Sequence, residues 1–213
     1  EDLQIQFRNM LKAFYGTLKS ADGYLRFVLL TGVTKFSKIS VFSDLNNLND
    51  ISMDAEYSDI CGITEEELHE VFDEEVAMLA ENNNQTKEEA YQELKRRYDG
   101  YHFSEDSKGM YNPFSILNTL LKKVYRNYWF STGTPTYLVE LLKRFDFDLQ
   151  DLSGYETTAD ALDSIQIRVD NPIPVLYQSG YLTISSYDDD LGLYTLDFPN
   201  EEVEESFIRF LIP

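Results

Sequence analysis

The stretch RFVLLTGVTKFSKIS, from Arg26 to Ser40, gives the strongest indication of the fold. From Leu25 to Thr31 the sequence is short, apolar and free of polar alternation, which predicts a β-strand buried on both faces, as in parallel sheets. Residues 2–20 precede it with apolar side chains at helical spacing. A helix followed by a buried strand is half of an α/β unit, so we expect part of an α/β core here.

Polar side chains follow the predicted strand directly. Thr31 stands at its carboxyl end, and Thr34, Lys35 and Ser37 follow after Gly32. Ligands of open α/β sheets bind beyond the carboxyl ends of the strands, where such hydroxyls and an ammonium group would suit a phosphate or the water that attacks it. The same residues would also suit a capped helix start with a solvated lysine, and spacing alone leaves both interpretations open.

Helix signals dominate the next hundred residues. Thr64 and Thr86 each precede a glutamate three positions on, which is the capping-box pattern, and predict helices to about Ala80 and Tyr98. Asn112-Pro113 starts another helix. Weaker signals predict a short helix at 38–45, a short strand at 48–51 and a helix at 134–144.

The last third of the chain has a different pattern. A helix near 158–165 and another at 172–179 precede strands at 181–184 and 193–196, which an Asp-rich turn joins into a β-hairpin. A final helix follows Asn200, with acidic residues in its first turn. A helix leading into a β-hairpin resembles a winged-helix module.

Charge and composition exclude several classes of protein. The net charge is −20, and residues 145–213 contain 15 of the 38 acidic residues but two of the 18 basic ones. Such a surface repels polyanions, so nucleic acid is not the favoured partner. No apolar run is long enough for a membrane helix. Cys61 is the single cysteine and is expected to be a small buried hydrophobe, and a cytoplasmic location is the default.

Few residues of the sequence form a recognisable catalytic, metal-binding or phosphate-binding pattern. The sequence contains no G-x-x-x-x-G-K-[ST] phosphate loop and no G-x-S-x-G motif. The two histidines, His69 and His102, are separated and make a weak case for a metal. The aspartates 188–190 suit a soluble hairpin tip better than a cation site. Arg96 and Arg97 could sense phosphate, or could simply complement the dipole at a helix C-terminus.

A series of segments resembles the predicted AAA-ATPase-like family of bacterial proteins. The segments occur in the family's order and cover almost the whole chain: LRFVLLTGVTKFSKISVFSDLNNLNDIS, YSDICGITEEEL, RRYDGYHF, YNPFSILN, NYWFSTGTPTYLVELL, YQSGYLTI and YTLDFPNEEVEESF. The resemblance implies an upstream P-loop and acidic metal-binding motif, and commonly a following nuclease-like domain of the PD-(D/E)XK type. We therefore expect the sequence to be a piece of a longer chain.

By this resemblance, the fold is mainly α with minor β. Residues 1–62 would be a remnant of the P-loop α/β core, residues 63–150 a helical lid and residues 151–213 a winged-helix-like module. Leu25 to Thr31 would be the sensor-1 strand and Thr31 its polar residue. Low-ranking cofactor-binding candidates are Thr34, Lys35, Ser37, Arg96 and Arg97.

The function implied is ATP hydrolysis with Mg²⁺ in the intact protein, by a chain that is inactive alone because its sequence lacks the phosphate loop. Expected partners are the missing P-loop region, a nuclease-like domain of the same protein and a second copy of the chain. The alternative is a module without catalysis that binds a protein or a nucleic acid. A free-standing hydrolase using acidic residues is a third possibility with little support.

Overall fold

The computed structural model describes residues 2–32, 48–132, 152–163 and 171–211. The fold is mainly helical, with a small antiparallel sheet towards the C-terminus. Helix α1 spans Asp2–Ser20, which confirms the first predicted helix, and leads into a 3-10 helix at Asp22–Tyr24. The predicted helices at 38–45 and 134–144 lie outside the described residues.

The prediction of a β-strand from Leu25 to Thr31 is wrong: the described structure has no strand there. The backbone from Leu25 to Gly32 has no regular secondary structure, and its side chains are exposed. A strand exists only when a neighbour satisfies its backbone groups, and no described residue pairs with this segment. The strand predicted at 48–51 is absent for the same reason.

Four helices form a helical unit, which we define as residues 63–132. The capping boxes at Thr64 and Thr86 are both present: each hydroxyl accepts from the amide of the glutamate three residues on, and that carboxylate accepts from the threonine amide. Asn112 caps the last helix, with Pro113 in its first turn. The helices are α2 (Glu65–Val71), α3 (Asp73–Asn82), α4 (Lys87–Tyr98) and α5 (Pro113–Lys122).

The helix predicted from Thr64 to about Ala80 is two helices that meet at Phe72. Phe72 leaves the helical conformation, with φ −114° and ψ 16°. Asp73 then starts α3, and its carboxylate accepts a hydrogen bond from the Tyr91 hydroxyl at 2.9 Å and pairs with Lys87. These tertiary contacts with α4 fix the first turn of α3 and explain why the helix is interrupted here.

The core of the helical unit is formed by the inward faces of its four helices. Full burial of a large aliphatic side chain contributes about 2 kcal/mol relative to exposure, so these contacts hold the helices together. An antiparallel bridge between Ile63 and Tyr111 closes the unit at one end. The buried residues are Leu68, Val76, Leu79, Ala80, Ala90, Tyr91, Leu94, Tyr98, Tyr111, Ile116 and Leu120.

A second unit, the C-terminal module, comprises residues 152–163 and 171–211. Its sheet has the order β1-β3-β2, and both neighbouring pairs are antiparallel. The β2–β3 hairpin confirms the predicted one, whereas sequence reasoning missed β1. The elements are β1 (Tyr155–Thr157), α6 (Ala159–Asp163), α7 (Ile173–Gln178), β2 (Thr183–Asp188), β3 (Leu193–Asp197) and α8 (Glu201–Leu211).

The module has a hydrophobic core of its own, distinct from that of the helical unit. One face of the sheet packs against α7 and α8. Its members are Leu152, Leu162, Ile173, Leu176, Tyr181, Leu182, Ile184, Tyr194, Leu196, Val203 and Phe207. Among the described helices, none combines the length and the hydrophobicity that a bilayer crossing requires.

Candidate functional site

The predicted sensor residue lies at the surface. Thr31 and Gly32 are exposed, at the end of an irregular apolar segment. Phe27 is 79% exposed and Leu29 52%. Thr34, Lys35 and Ser37 lie outside the described residues. Thr31 is therefore accessible to another part of a protein, and no structural feature tests its assignment as a sensor.

Helix α1 extends this exposed apolar area. We call its exposed side chains, together with those of the following segment, the N-terminal apolar surface. It is unusual for so many large hydrophobic side chains to be open to water in one region, and such surfaces commonly mark contacts with other protein. The members are Leu3, Ile5, Phe7, Met10, Leu11, Phe14, Tyr24, Leu25, Phe27, Val28, Leu29 and Leu30.

The two candidate arginines lie at the C-terminal end of α4, and both contact carboxylates. Arg96 pairs with Glu93 at 2.7 Å and also with Glu201 of α8. Arg97 pairs with Glu93, and its guanidinium lies 5.9 Å from the centre of the Tyr125 ring. The hydrogen bond to Glu93, opposed by partial burial, raises the pKa of Arg96.

These contacts limit what the arginines can do in this conformation. Thr31 makes no hydrogen bond to either arginine within the described part of the chain, so the structure does not bring the predicted groups together. A phosphate would have to displace Glu93 or Glu201. An open depression beside Arg96 is also lined by Glu88, Glu89 and Glu93, which disfavour an anion.

A polar network on α2 and α4 was not anticipated. The Glu65 carboxylate accepts from Lys95 at 2.8 Å and from the Tyr111 hydroxyl at 3.0 Å. Burial raises the pKa of Glu65, but these two hydrogen bonds outweigh burial and leave it below the ordinary value. His69 is exposed to solvent, as its position between glutamates predicts, and one face of its ring stacks on Tyr91 with ring centres 3.9 Å apart.

The other predicted polar positions have structural roles. His102 Nδ1 lies 2.6 Å from the carbonyl oxygen of Ser107. Asp188 accepts from the amides of Asp190 and Leu191 and so shapes the hairpin tip. No group of three metal-binding side chains exists among the described residues. Cys61 is exposed, so the expectation of a buried thiol is wrong; it lies in a turn before α2 that leaves no core position for it.

The most buried carboxylate of the described chain joins the two units. Glu202, in the first turn of α8, is 1% exposed. One oxygen accepts from the Ser115 hydroxyl at 2.6 Å, and the other accepts from the Trp129 amide at 2.7 Å. Burial raises the pKa of Glu202 above its ordinary value, although hydrogen bonds from Ser115 and from the amides of Trp129 and Phe130 oppose this effect.

Further polar contacts continue this junction on both sides of Glu202. The Asn200 side chain donates to the Asp99 carbonyl at 2.9 Å, and its oxygen accepts from the Val203 amide, which caps α8. The Asn127 amide donates to the Ser206 hydroxyl at 2.5 Å. The sequence placed acids in the first turn of this helix, but it carried no signal that one of them is buried against α5.

Comparison with known proteins gives limited matches. Residues 1–42 match the AAA-ATPase-like family, described as "Predicted AAA-ATPase". A curated relative from Azotobacter chroococcum mcd 1, "Uncharacterized protein in vnfD 5'region", is 36% identical over 210 residues. The alignment covers 97% of this chain and 38% of that relative, so the chain spans well under half of its length. No solved structure matches.

Proposed function

We propose that this chain is part of an AAA-ATPase-like protein that hydrolyses ATP with Mg²⁺ when the rest of its nucleotide site is present. The observation that carries the proposal is a coincidence of position. The family match covers residues 1–42, and the N-terminal apolar surface covers residues 3–30. In the intact protein an ATPase core would bury this surface. Its exposure here would then reflect the absence of the rest of that core.

The segment from Leu25 to Thr31 would then become a β-strand by pairing with strands of that core. Its unalternated apolar sequence suits burial on both faces, which only neighbouring strands and helices can provide. Thr31 would stand at the carboxyl edge of the sheet, where it could contact the γ-phosphate or the attacking water. Thr34, Lys35 and Ser37 follow as weaker candidates for the same edge.

The isolated chain is expected to lack turnover. Phosphoryl transfer depends on a phosphate-cradling loop and a Mg²⁺-binding carboxylate, and the sequence lacks the phosphate-loop motif. Arg96 and Arg97 remain candidates for sensing phosphate, provided that nucleotide binding draws them away from Glu93 and Glu201. A cytoplasmic location, a nuclease-like neighbour in the same protein and association with a second copy are further parts of this proposal.

The C-terminal module is proposed to be winged-helix-like. Two of the described helices separate β1 from the β2–β3 hairpin, and β1 pairs with β3, which is the strand order of a winged helix. We favour protein over nucleic acid as its partner. Helix α7 leads into the hairpin, and its residues Ile173, Pro174 and Leu176 are buried. Residues 145–213 carry a strongly negative net charge, which repels nucleic acid.

Isothermal titration calorimetry and a phosphate-release assay test the ATPase proposal. We expect no tight ATP binding by residues 1–213 and Mg²⁺-dependent hydrolysis by a longer protein that adds a P-loop segment. In that longer protein, Thr31→Ala should lower kcat while ATP still binds, and Thr17→Ala in α1 serves as the control. Turnover by residues 1–213 alone, or unchanged kcat in Thr31→Ala, contradicts the proposal.

The alternative function is a binding module without catalysis. It gains support if the longer protein shows no ATP hydrolysis although it binds a protein partner. A gel shift with duplex DNA that weakens with added salt would instead favour a nucleic-acid role and overturn the preference drawn from charge.

A further inference from the structure

We infer that Glu202 is a proton-sensitive joint that holds the C-terminal module against the helical unit. Its carboxylate lies between α8 and α5, and it accepts hydrogen bonds from the Ser115 hydroxyl and the Trp129 amide. The amide of Trp129 also donates to the Ser115 hydroxyl oxygen at 3.2 Å, so each of the three groups is hydrogen-bonded to the other two. Glu202 is thus bound from two separate parts of the helical unit.

The direct hydrogen bonds of the Glu202 carboxylate are polar, while Tyr101, Trp129 and Phe130 of the helical unit pack against the core of the C-terminal module. The buried members of the two cores belong to separate clusters, and none is shared between them. The junction in between contains the hydrogen bonds of Glu202, Asn200 and Ser206, together with the Arg96–Glu201 ion pair. A change in the charge of Glu202 therefore acts at a junction that combines these polar contacts with the packing of Trp129 and Phe130 on Tyr181.

The titratable groups that face Glu202 favour a response to protons at this residue. Arg97 on α4 is the cation that lowers its pKa, and the neighbouring phenols of Tyr98 and Tyr101 ionise far above neutral pH. Arg97 pairs with Glu93, and the hydrogen bonds described for the Glu202 carboxylate come from Ser115 and Trp129. A buried carboxylate without a contacting cation takes up a proton more readily than an exposed one.

The sign of the response follows from the raised pKa. The folded state binds the Glu202 proton more tightly than the unfolded chain does, so the joint is strongest at low pH. It weakens as pH rises through the pKa of the folded protein. A joint of this kind would let proton uptake, or a partner that contacts Ser115 or Trp129, change how firmly the module is held.

The experiment is a pH titration of tryptophan fluorescence on residues 1–213. Trp129 is the single tryptophan, and its amide contacts Glu202, so its emission reports on the joint. We expect a transition above the ordinary glutamate pKa of 4.5, because burial raises the pKa of Glu202. Glu202→Gln should abolish it, and Glu204→Gln, an exposed acid on the same helix, should retain it.

A second variant covers the case in which Glu202→Gln does not fold. Ser115→Ala removes a hydrogen bond that favours the charged carboxylate, so the transition midpoint should move to higher pH. Far-UV circular dichroism at each pH separates this local change from acid unfolding. A transition retained in Glu202→Gln, or a midpoint unmoved in Ser115→Ala, overturns the inference.

Discussion

The Ser115 hydroxyl donates a hydrogen bond of 2.6 Å to the carboxylate of Glu202, which lies 87 positions further along the chain. Both side chains are almost completely buried, at 0% and 1% exposure. The pair joins α5 of the helical unit to α8 of the C-terminal module. The rings of Trp129 and Phe130 also pack against Tyr181 of the C-terminal module, so this hydrogen bond and that aromatic packing together hold the two units in position.

Glu202→Ala tests the contribution of this pair to stability. The change leaves a buried hydroxyl and a buried amide without their acceptor, so we expect a loss of about 2–3 kcal/mol in the free energy of unfolding. Urea denaturation followed by circular dichroism measures it. Glu204→Ala, at an exposed position on the same helix, should change stability by less than about 0.5 kcal/mol. Equal effects of the two variants would contradict a buried role for Glu202.

Gly100→Ala tests the close approach of the two units beside this junction. Gly100 has φ +101°, and an added Cβ would lie 2.0 Å from the Pro199 carbonyl oxygen. Both the strained backbone and the clash oppose alanine, so we expect a loss of about 3 kcal/mol or more. Gly192→Ala is the matched control, because its φ is +66° and the space around it is open. That variant should lose about 1 kcal/mol, and thermal unfolding separates the two cases.

Local sequence signals predicted α4 and α5 correctly, but they predicted α2 and α3 as one continuous helix. The caps at Thr64, Thr86 and Asn112 are formed by neighbouring residues, so the information lies within a few positions. The hairpin was predictable for the same reason. The β-strand predicted from Leu25 to Thr31 does not form in the described structure, because a strand requires a pairing partner that the local sequence does not specify.

The side-chain contacts of the candidate site were also not predictable from local sequence signals. Arg96 and Arg97 could be located at a helix end, but their pairing with Glu93 and Glu201 depends on how α8 packs against α4. The burial of Glu202 was equally invisible, since the acids beside it, Glu201 and Glu204, are partly or fully exposed. Side chains that meet across elements thus need tertiary information that spacing does not contain.

The capping box at Thr86 gives a local test of stability. Thr86→Ala removes the acceptor for the Glu89 amide, so we expect a loss of about 1 kcal/mol in the free energy of unfolding. Thr86→Ser keeps an oxygen at the same position and should stay within about 0.5 kcal/mol of the parent. Urea denaturation compares the two. If serine costs as much as alanine, the lost methyl group and not the cap is responsible.

Glu93→Gln tests the electrostatics at the end of α4. Burial raises the pKa of Glu93, but hydrogen bonds from Arg96 and Arg97 outweigh it and leave the pKa below its ordinary value of 4.5. A lowered pKa means that this stabilisation is complete above the ordinary value and is lost as pH falls through the folded-state value. The variant should therefore lose about 1 kcal/mol at neutral pH and less at about pH 3.

Urea denaturation at several pH values measures this difference. Glu204→Gln is again the control and should follow the parent protein across the range. A deficit in Glu93→Gln that stays constant down to low pH would show that the charge of Glu93 is not what the arginines stabilise. In that case their positions would depend on packing, for example of Arg97 on Tyr125.

The N-terminal apolar surface predicts self-association of the isolated chain. Phe7 and Phe14 are 56% and 64% exposed, and Leu29 is 52% exposed, so their contact with water is unfavourable. Light scattering of residues 1–213 should show a mass that grows with concentration, and Phe7→Ser with Phe14→Ser should reduce that growth. Leu191→Ser, at the exposed hairpin tip, should leave it unchanged. A concentration-independent monomer would show that exposed apolar area alone does not drive association, and would remove the main structural support for burial of this surface by an ATPase core.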